Sequence, residues 1–299
     1  MKIAVLMSTY NGHNFLDKQL ESLANQTVAE NMTVYIRDDE SSDDTFDIID
    51  KWKKALNLVL YKEKNVGPAM SFWKLLMSQE IQADYYAFCD QDDVWNEDKL
   101  ETGIKALDEN THLYACNCRI IDENGLIVKE KRLDTSPEID VKRLFVSGCT
   151  QGCSMIFDDS LRKYVQSLDL KCIPMHDVIL MIHALSFGNV QWDDTPHFGY
   201  RVHSNNVVAK NNKTVFQNLK TTLWNWKNSS KNSMATVAQE LIASTKNLKK
   251  DDLDYLICMR DYKKNIVSKW KIFTAYNRTS GISKKVLRSY KIRILLNLL

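Results

Sequence analysis

The 299-residue sequence contains no run of roughly 18 apolar residues, the length a helix needs to cross a bilayer. Its nearest approach, Val178–Val190, is broken by His183, Ser186 and Asn189. The opening MKIAVLMSTYNG has one lysine and a short apolar run that gives way at once to polar turn residues. It lacks the longer apolar core and small-residue cleavage site of a secretory signal, so it is read as a first β-strand. Among the seven cysteines (Cys89, Cys116, Cys118, Cys149, Cys153, Cys172, Cys258) there is no C-x-x-C pair. That excludes a zinc ribbon and a dithiol redox motif. Cys149 and Cys153, four apart, could be metal ligands, but burial as small reduced hydrophobes inside a cell is the simpler reading. Sequons such as Asn228-Ser229-Ser230 then carry no meaning. Glycine-rich phosphate cradles are missing too. STYNGHNF follows the first strand where a dinucleotide-binding Rossmann domain would have G-x-G-x-x-G, and G-x-x-x-x-G-K-[ST] occurs nowhere. No internal repeat and no low-complexity linker interrupts the chain.

What is present begins with charge. The formal total of +2 hides an acidic body and a basic tail: residues 1–203 hold 21 basic and 33 acidic side chains, residues 204–299 hold 19 and 5. Balances of −12 and +14 predict two regions, 1–205 and 206–299, that face different partners. In the first, strand-like runs (Lys2–Ser8, Thr33–Asp38, Asn57–Tyr61, Tyr85–Cys89) alternate with helix-like ones (Asn14–Gln26, Asp43–Leu56, Ala69–Ser78, Glu97–Leu107). That rhythm predicts an α/β fold with a mostly parallel, doubly wound (Rossmann-like) sheet. Right-handed crossovers would leave the strand C-termini along one edge, where open sheets bind ligands. Later strands are expected at Leu113–Ile121, Leu126–Val128, Val190–Trp192 and Phe198–Val202, with a helix over Pro174–Leu185. From Ser204 onward the pattern is helical: about 213–227, 233–248, 252–275 and 282–299.

The segment YYAFCDQDDVW ends an apolar strand on Asp90, Asp92 and Asp93. Mutual repulsion there costs stability unless a positive group is present. A lone D-x-D would be read as a solvated acidic turn capping the helix at Glu97. Here Ser8-Thr9-Tyr10-Asn11, Asp38-Asp39 and Asp90-Gln91-Asp92 all fall at strand C-termini on one edge. A divalent cation held by carboxylates would supply the counter-charge that a nucleotide diphosphate needs, and hard oxygens suit Mg²⁺ or Mn²⁺.

In order, STYNG, YIRDDESSDDT and FCDQDDVW resemble the motifs of family-2 nucleotide-sugar glycosyltransferases of GT-A fold, over roughly residues 1–205. The resemblance implies that Thr9, Tyr10 and Asn11 line a nucleotide pocket and that Asp39 accepts the imide N–H of uracil or thymine. Cytosine offers no such ring donor. It also implies Asp92 as the main metal ligand, with Asp90 nearby on the ribose or a metal-bound water. Glu40 departs from the family's glycine after the Asp-Asp pair. Asp177, a lone acid between Asp169 and Asp193 at a helix start, would by itself read as a cap. His176-Asp177 matches the family's His-Asp variant, which implies Asp177 as the base that deprotonates the acceptor hydroxyl, with His176 orienting or tuning it. In YRVHSNN, alternation sends Arg201 and His203 to one side, where Arg201 could fork onto phosphate and neutral His203 could ligate the metal. That segment resembles a YRxHxxN motif of a branch that includes rhamnosyltransferases. Gln151-Gly152-Cys153 resembles the acceptor-side segment, with a simple turn or bulge at Gly152 as the alternative.

One catalytic acid rather than a close pair argues for direct, inverting displacement. The reading is a metal-dependent inverting transferase using a dTDP- or UDP-sugar, with rhamnose from dTDP-rhamnose weighed against galactose, glucose or their N-acetyl forms. A non-catalytic nucleotide-sugar-binding scaffold would keep Asp39 and Asp92 but have no use for Asp177. In the tail, Trp224, Trp226, Trp270, Phe273 and Tyr276 alternate with lysines and arginines. This composition suits docking on an anionic cytoplasmic membrane face, which would make the acceptor a lipid-linked saccharide of bacterial cell-surface polysaccharide synthesis. A helical bundle with a solvated basic face, or a homodimer interface, is the alternative; no nucleic-acid reading motif is present.

Overall fold

The computed structural model describes residues 1–203, 234–245, 248–275 and 282–299. The helix expected over 213–227 lies outside the described residues, as do Trp224, Trp226 and Tyr276.

Nine strands form one sheet: β1 (Ile3–Thr9), β2 (Met32–Asp38), β3 (Leu58–Lys62), β4 (Tyr85–Asp90), β5 (Val94–Trp95), β6 (Thr111–Ile121), β7 (Ile127–Lys129), β8 (Met155–Asp158) and β9 (Asn189–Arg201). The order is β3-β2-β1-β4-β8-β6-β9-β5, with β7 beside β6. β3, β2, β1 and β4 are parallel. Their apolar runs are continuous because helices cover both faces, and Ile3 to Met7 are all buried. The crossovers are α1 (Leu16–Ala24), α2 (Thr45–Trp52) and α3 (Pro68–Met77); α4 (Lys99–Lys105) follows β5. α1 buries Leu16, Leu20 and Leu23, a stripe at helical spacing. α3 starts on a proline preceded by Gly67, whose φ of +79° suits glycine.

Beyond β4 the sheet becomes mixed. β8 runs antiparallel to β4, β6 antiparallel to β8, β9 parallel to β6, and β5 antiparallel to β9. Two registers shape the C-terminal edge of the sheet. Thr9 lies opposite Asp38 and Ser8 opposite Asp90, so β1, β2 and β4 end flush. The β5–β9 pairing (Val94 with Gly199) returns the end of β9 to the turn after β4.

α6 (Asp159–Gln166) and α7 (His176–Phe187) also belong with the sheet. α6 was not foreseen; Asp158 caps it by accepting from the Leu161 N–H at 2.8 Å. β9 is one strand where two short ones were expected. Its polar middle is satisfied internally, as Asp193 accepts from the Thr195 N–H at 2.7 Å and the Tyr114 hydroxyl at 2.9 Å. The ladder therefore continues through register shifts near Asn117.

A second compact unit comprises the described residues of Pro137–Cys149, Leu168–Pro174 and Lys210–Leu299. It holds α5 (Val141–Val146), α8 (Met234–Ser244), α9 (Lys250–Asp261), α10 (Ile266–Thr274) and α11 (Lys284–Leu295). The single helix expected over 252–275 is split. Asn265 accepts from the N–H groups of Val267 (2.9 Å) and Ser268 (3.2 Å) and so starts a new helix. Leu241, Leu256, Met259, Ile272 and Ile294 are buried, and the Tyr255 and Tyr290 hydroxyls lie 2.8 Å apart. No described helix is long and apolar enough to cross a membrane.

Candidate active site

The flush ends of β1, β2 and β4 bring three loops together. Thr9 is buried, and its Oγ1 donates to Asp38 Oδ2 at 2.8 Å. Asp38 also accepts from the Ser41 N–H (2.8 Å) and Oγ (2.6 Å), so its carboxylate is spent on fixing the loop. Asp39, also buried, donates its N–H to the Thr9 carbonyl at 2.8 Å. Its carboxylate pairs with the Arg37 guanidinium and accepts from the N–H groups of Val66 and Gly67, the latter at 2.8 Å. A carboxylate has about four acceptor directions. A base imide would therefore take the remaining one or displace a loop N–H. Glu40 has φ +71°, which explains why glycine suits this position better.

Tyr10 is half exposed, and its backbone is held by a reciprocal pair with the Gln91 side chain. Its N–H donates to Oε1 at 2.9 Å, and Nε2 donates to its carbonyl at 3.1 Å. Asn11, at φ +47°, accepts from the Ser42 N–H at 2.9 Å, while Ser41 Oγ accepts from the Asn11 N–H at 2.8 Å. The first two expected loops are thus tied to each other and to β4.

The acids after β4 divide into two neighbouring groups. Ligand atoms of Asp90, Asp93 and Cys153 lie within 4.8 Å of one another. Burial, and then repulsion from Asp92, pushes the Asp90 carboxyl up to about 7. Asp93 is pushed well up by burial and by both neighbouring acids. Its Oδ1 accepts from the Arg201 N–H at 3.2 Å, whereas its buried Oδ2 has no hydrogen-bond partner among the described residues. Asp92 Oδ2 lies 2.8 Å from His203 Nε2, so these two expected metal ligands do meet. Three carboxylates forced together, one with an orphaned oxygen, fit a divalent cation bound through hard oxygens. The Cys153 thiol fits that role poorly. Burial and the adjacent acids push it up, so it stays protonated.

Arg201 is buried. Its Nε donates to the Asp92 carbonyl (2.8 Å), and Nη1 donates to the Asp122 and Glu123 carbonyls (both 2.9 Å). Its guanidinium lies 4.9 Å from the Phe15 ring centroid. The arginine expected to grip phosphate thus joins the acidic turn to the β6–β7 turn.

Asp177 stands in the first turn of α7, where its Oδ1 accepts from the Val178 N–H at 2.8 Å. It is buried, and burial raises its carboxyl to about 6. It lies beside Gly152, whose neighbour Cys153 has its sulfur within 4.8 Å of the Asp90 carboxylate, and it adds to the repulsion that raises Asp90. His176 is neutral, because burial pushes it down to about 3. Its ring stacks on Phe72 (centroids 4.3 Å) and meets the edge of Phe88 (4.6 Å). Neither ring nitrogen has a hydrogen-bond partner among the described residues, so His176 fixes the start of α7 by packing. A Cβ on Gly152 would sit 2.6 Å from His176 Nε2 and 3.4 Å from Asp177 Cβ. The missing side chain is what admits both residues. Gln151 accepts from the Ser154 N–H at 3.0 Å through its carbonyl and closes that turn.

Sequence reasoning gave no role to Arg37 and weighed Cys153 only as a metal ligand with Cys149, as a buried thiol or as part of the acceptor-side segment. Asp93 was visible only as a third charge, and nothing local announces that β9 will cover it.

A mixed sheet with nucleotide-type loops and an acidic cluster at its C-terminal edge defines a GT-A-type glycosyltransferase fold. The comparisons agree. The sequence profile of "Glycosyl transferase family 2" matches residues 4–165, and the chain belongs to that family. Over 219 residues it is 26% identical to the dTDP-rhamnosyl transferase RfbG of Shigella flexneri, covering 69% of this chain and 74% of that protein. It is also 26% identical over 219 residues to the UDP-Glc:alpha-D-GlcNAc-diphosphoundecaprenol beta-1,3-glucosyltransferase WfaP of Escherichia coli (72% and 83%). The crystal structure of S. aureus TarS 1-349 in complex with UDP-GlcNAc superposes with a TM-score of 0.65 at 17% identity, covering all of this chain and 80% of that one. The mannosyltransferase PcManGT from Pyrobaculum calidifontis, solved with GDP-Man and Mn2+, gives 0.59 at 13% identity (99% and 86%). The two structural likenesses concern the fold.

Proposed function

We propose that the protein moves a sugar from a thymidine or uridine diphosphate donor to a hydroxyl of a lipid-linked saccharide by direct displacement, with inversion. Asp39 accepts the imide of the base, and Thr9, Tyr10 and Asn11 shape the pocket around it. Asp92, Asp90 and His203, joined by Asp93, would hold a divalent cation, Mg²⁺ or Mn²⁺, which would supply counter-charge to the departing nucleoside diphosphate. Asp177 takes the proton from the acceptor hydroxyl as that oxygen attacks the anomeric carbon. Gln151 and Gly152 line the acceptor side. His176 is a positioning residue.

The observation that carries this reading is Asp177. It is a carboxylate that burial pushes up to about 6, seated at a helix start beside Gly152, one residue from the Cys153 that meets Asp90 and Asp93. A scaffold that only bound the donor would have no use for it.

Rhamnose from dTDP-rhamnose is supported by the likeness to RfbG and by the Tyr200-Arg201-Val202-His203 segment. A UDP-hexose is the second reading, supported by equal identity to WfaP, whose name also includes a diphosphoundecaprenol-linked acceptor. Such an acceptor would place the work at the inner face of the plasma membrane. The basic C-terminal helices would then contact that surface, with a homodimer through them as the alternative. A thermal-shift screen of dTDP- and UDP-sugars with Mn²⁺ tests the donor. Stabilisation by dTDP-rhamnose alone supports the first reading, and stabilisation by a UDP-hexose alone supports the second. No response to any thymidine or uridine donor contradicts both.

A further inference from the structure

The last two helices carry a surface that the transfer chemistry does not use. Residues 262–299 hold ten lysines and arginines and not one acidic side chain. α10 and α11 border a groove of about 390 Å³ with Phe273, Leu287, Ile292 and Leu295 on its floor and Lys284 and Arg288 on its rim. Beside it, Trp270 is 63% exposed and stacks on Phe273 at 5.6 Å. The bundle's own packing is met by other residues of these helices, because Ser268, Ile272, Tyr290 and Ile294 are the buried ones. Among the described residues, the exposed apolar groups are surplus to the fold.

Charge selects the occupant. A second copy meeting this face across a twofold axis would set one basic rim against an identical one, with no acid in residues 262–299 to relieve it. A duplex nucleic acid would answer the cations but offer nothing apolar to the floor. An anionic bilayer answers both, with phosphates at the rim, acyl chains on the floor and an indole at headgroup depth. We propose that the α10–α11 groove docks the protein on an anionic phospholipid bilayer, with headgroups on Lys284 and Arg288 and acyl chains on Phe273, Leu287, Ile292 and Leu295. This deepens the lipid-linked-acceptor reading, yet its grounds are independent of the sheet's acidic cluster.

The test is co-sedimentation of the full chain with phosphatidylglycerol–phosphatidylcholine vesicles and with phosphatidylcholine vesicles, without donor. The protein is expected to pellet with the anionic vesicles only. The K284Q/R288Q double variant should bind about 25-fold more weakly, roughly fivefold per basic side chain. I292S/L295S should lose about tenfold or more; both residues are exposed (38% and 56%), so the fold survives the change. Retention in the supernatant overturns the proposal, and so does equal binding to neutral vesicles or unchanged binding of both double variants. A dimer in sedimentation velocity that I292S/L295S dissolves also overturns it, assigning the groove to a second copy. Donor-induced thermal shifts, measured on the same variants and expected to be unaltered, separate failure of this surface from failure of the transferase reading.

Discussion

Asp177→Asn keeps the shape of the side chain and removes its charge. The new amide oxygen can still accept from the Val178 N–H, the contact that Oδ1 makes at 2.8 Å. Burial holds the native carboxyl at about 6 instead of 3.8. The folded state therefore binds this proton more tightly than the unfolded chain does. Stability accordingly falls as pH rises from about 4 to about 6, and above that the full cost, about 3 kcal/mol at most, is present. The variant has nothing to ionise. At about pH 8 it should unfold at the same temperature as the native protein or higher, and at about pH 4 the difference should vanish. Activity should move the other way, since a positioned general base contributes about 10²–10⁴-fold. The native rate should climb with pH through about 6, where Asp177 becomes ionised and able to take a proton. The variant's residual rate should be flat there. Chromatographic quantification of released nucleoside diphosphate, beside thermal unfolding at several pH values, reads both. Turnover within a few-fold of native would remove Asp177 as the base. A dead variant destabilised at every pH would mean that the side chain holds the fold instead.

Asp92→Ala removes the partner of His203 and should weaken Mn²⁺ binding by about 10–100-fold or more, read from the free-Mn²⁺ paramagnetic resonance signal; unchanged affinity would refute its role. Glu40→Gly relieves a left-handed backbone worth about 1–2 kcal/mol and gives back about 0.4–1 in unfolded-chain entropy, a net gain of about 0.5 kcal/mol in urea unfolding. A clear loss would show that the weak contact from the Asn65 N–H to Glu40, at 3.4 Å, matters more. Gly152→Ala drives a methyl into His176 Nε2 and should cost about 1–3 kcal/mol with a larger loss of turnover than of donor affinity. Native stability and turnover in that variant would contradict the close approach.

Much of the first half of the fold was legible because local and global signals agree there. Continuous apolar strands, amphipathic crossovers and turn residues all point to parallel β1 to β4, and the flush ends result from register. The later elements were harder. β9 looked like two strands because Asp193, Asp194, Thr195 and Pro196 read as a break, yet their polar groups are satisfied within the ladder. The split at Asn265 was hidden among lysines of good helix propensity. At the site, Thr9, Asp39, Asp92, His203 and Asp177 were nameable from motifs. The work of Arg201 was not, since burial and three carbonyl contacts made by an arginine are long-range facts. The same holds for the orphaned oxygen of Asp93.

Calorimetric titration of dTDP and UDP into the protein, once with Mn²⁺ and once with chelator, reaches the central claim most directly. The account expects binding with the metal, loss of it in chelator, and no binding of CDP in either case. Nucleotide affinity that is indifferent to the metal would mean that the acids beyond β4 repel one another to no purpose in donor binding.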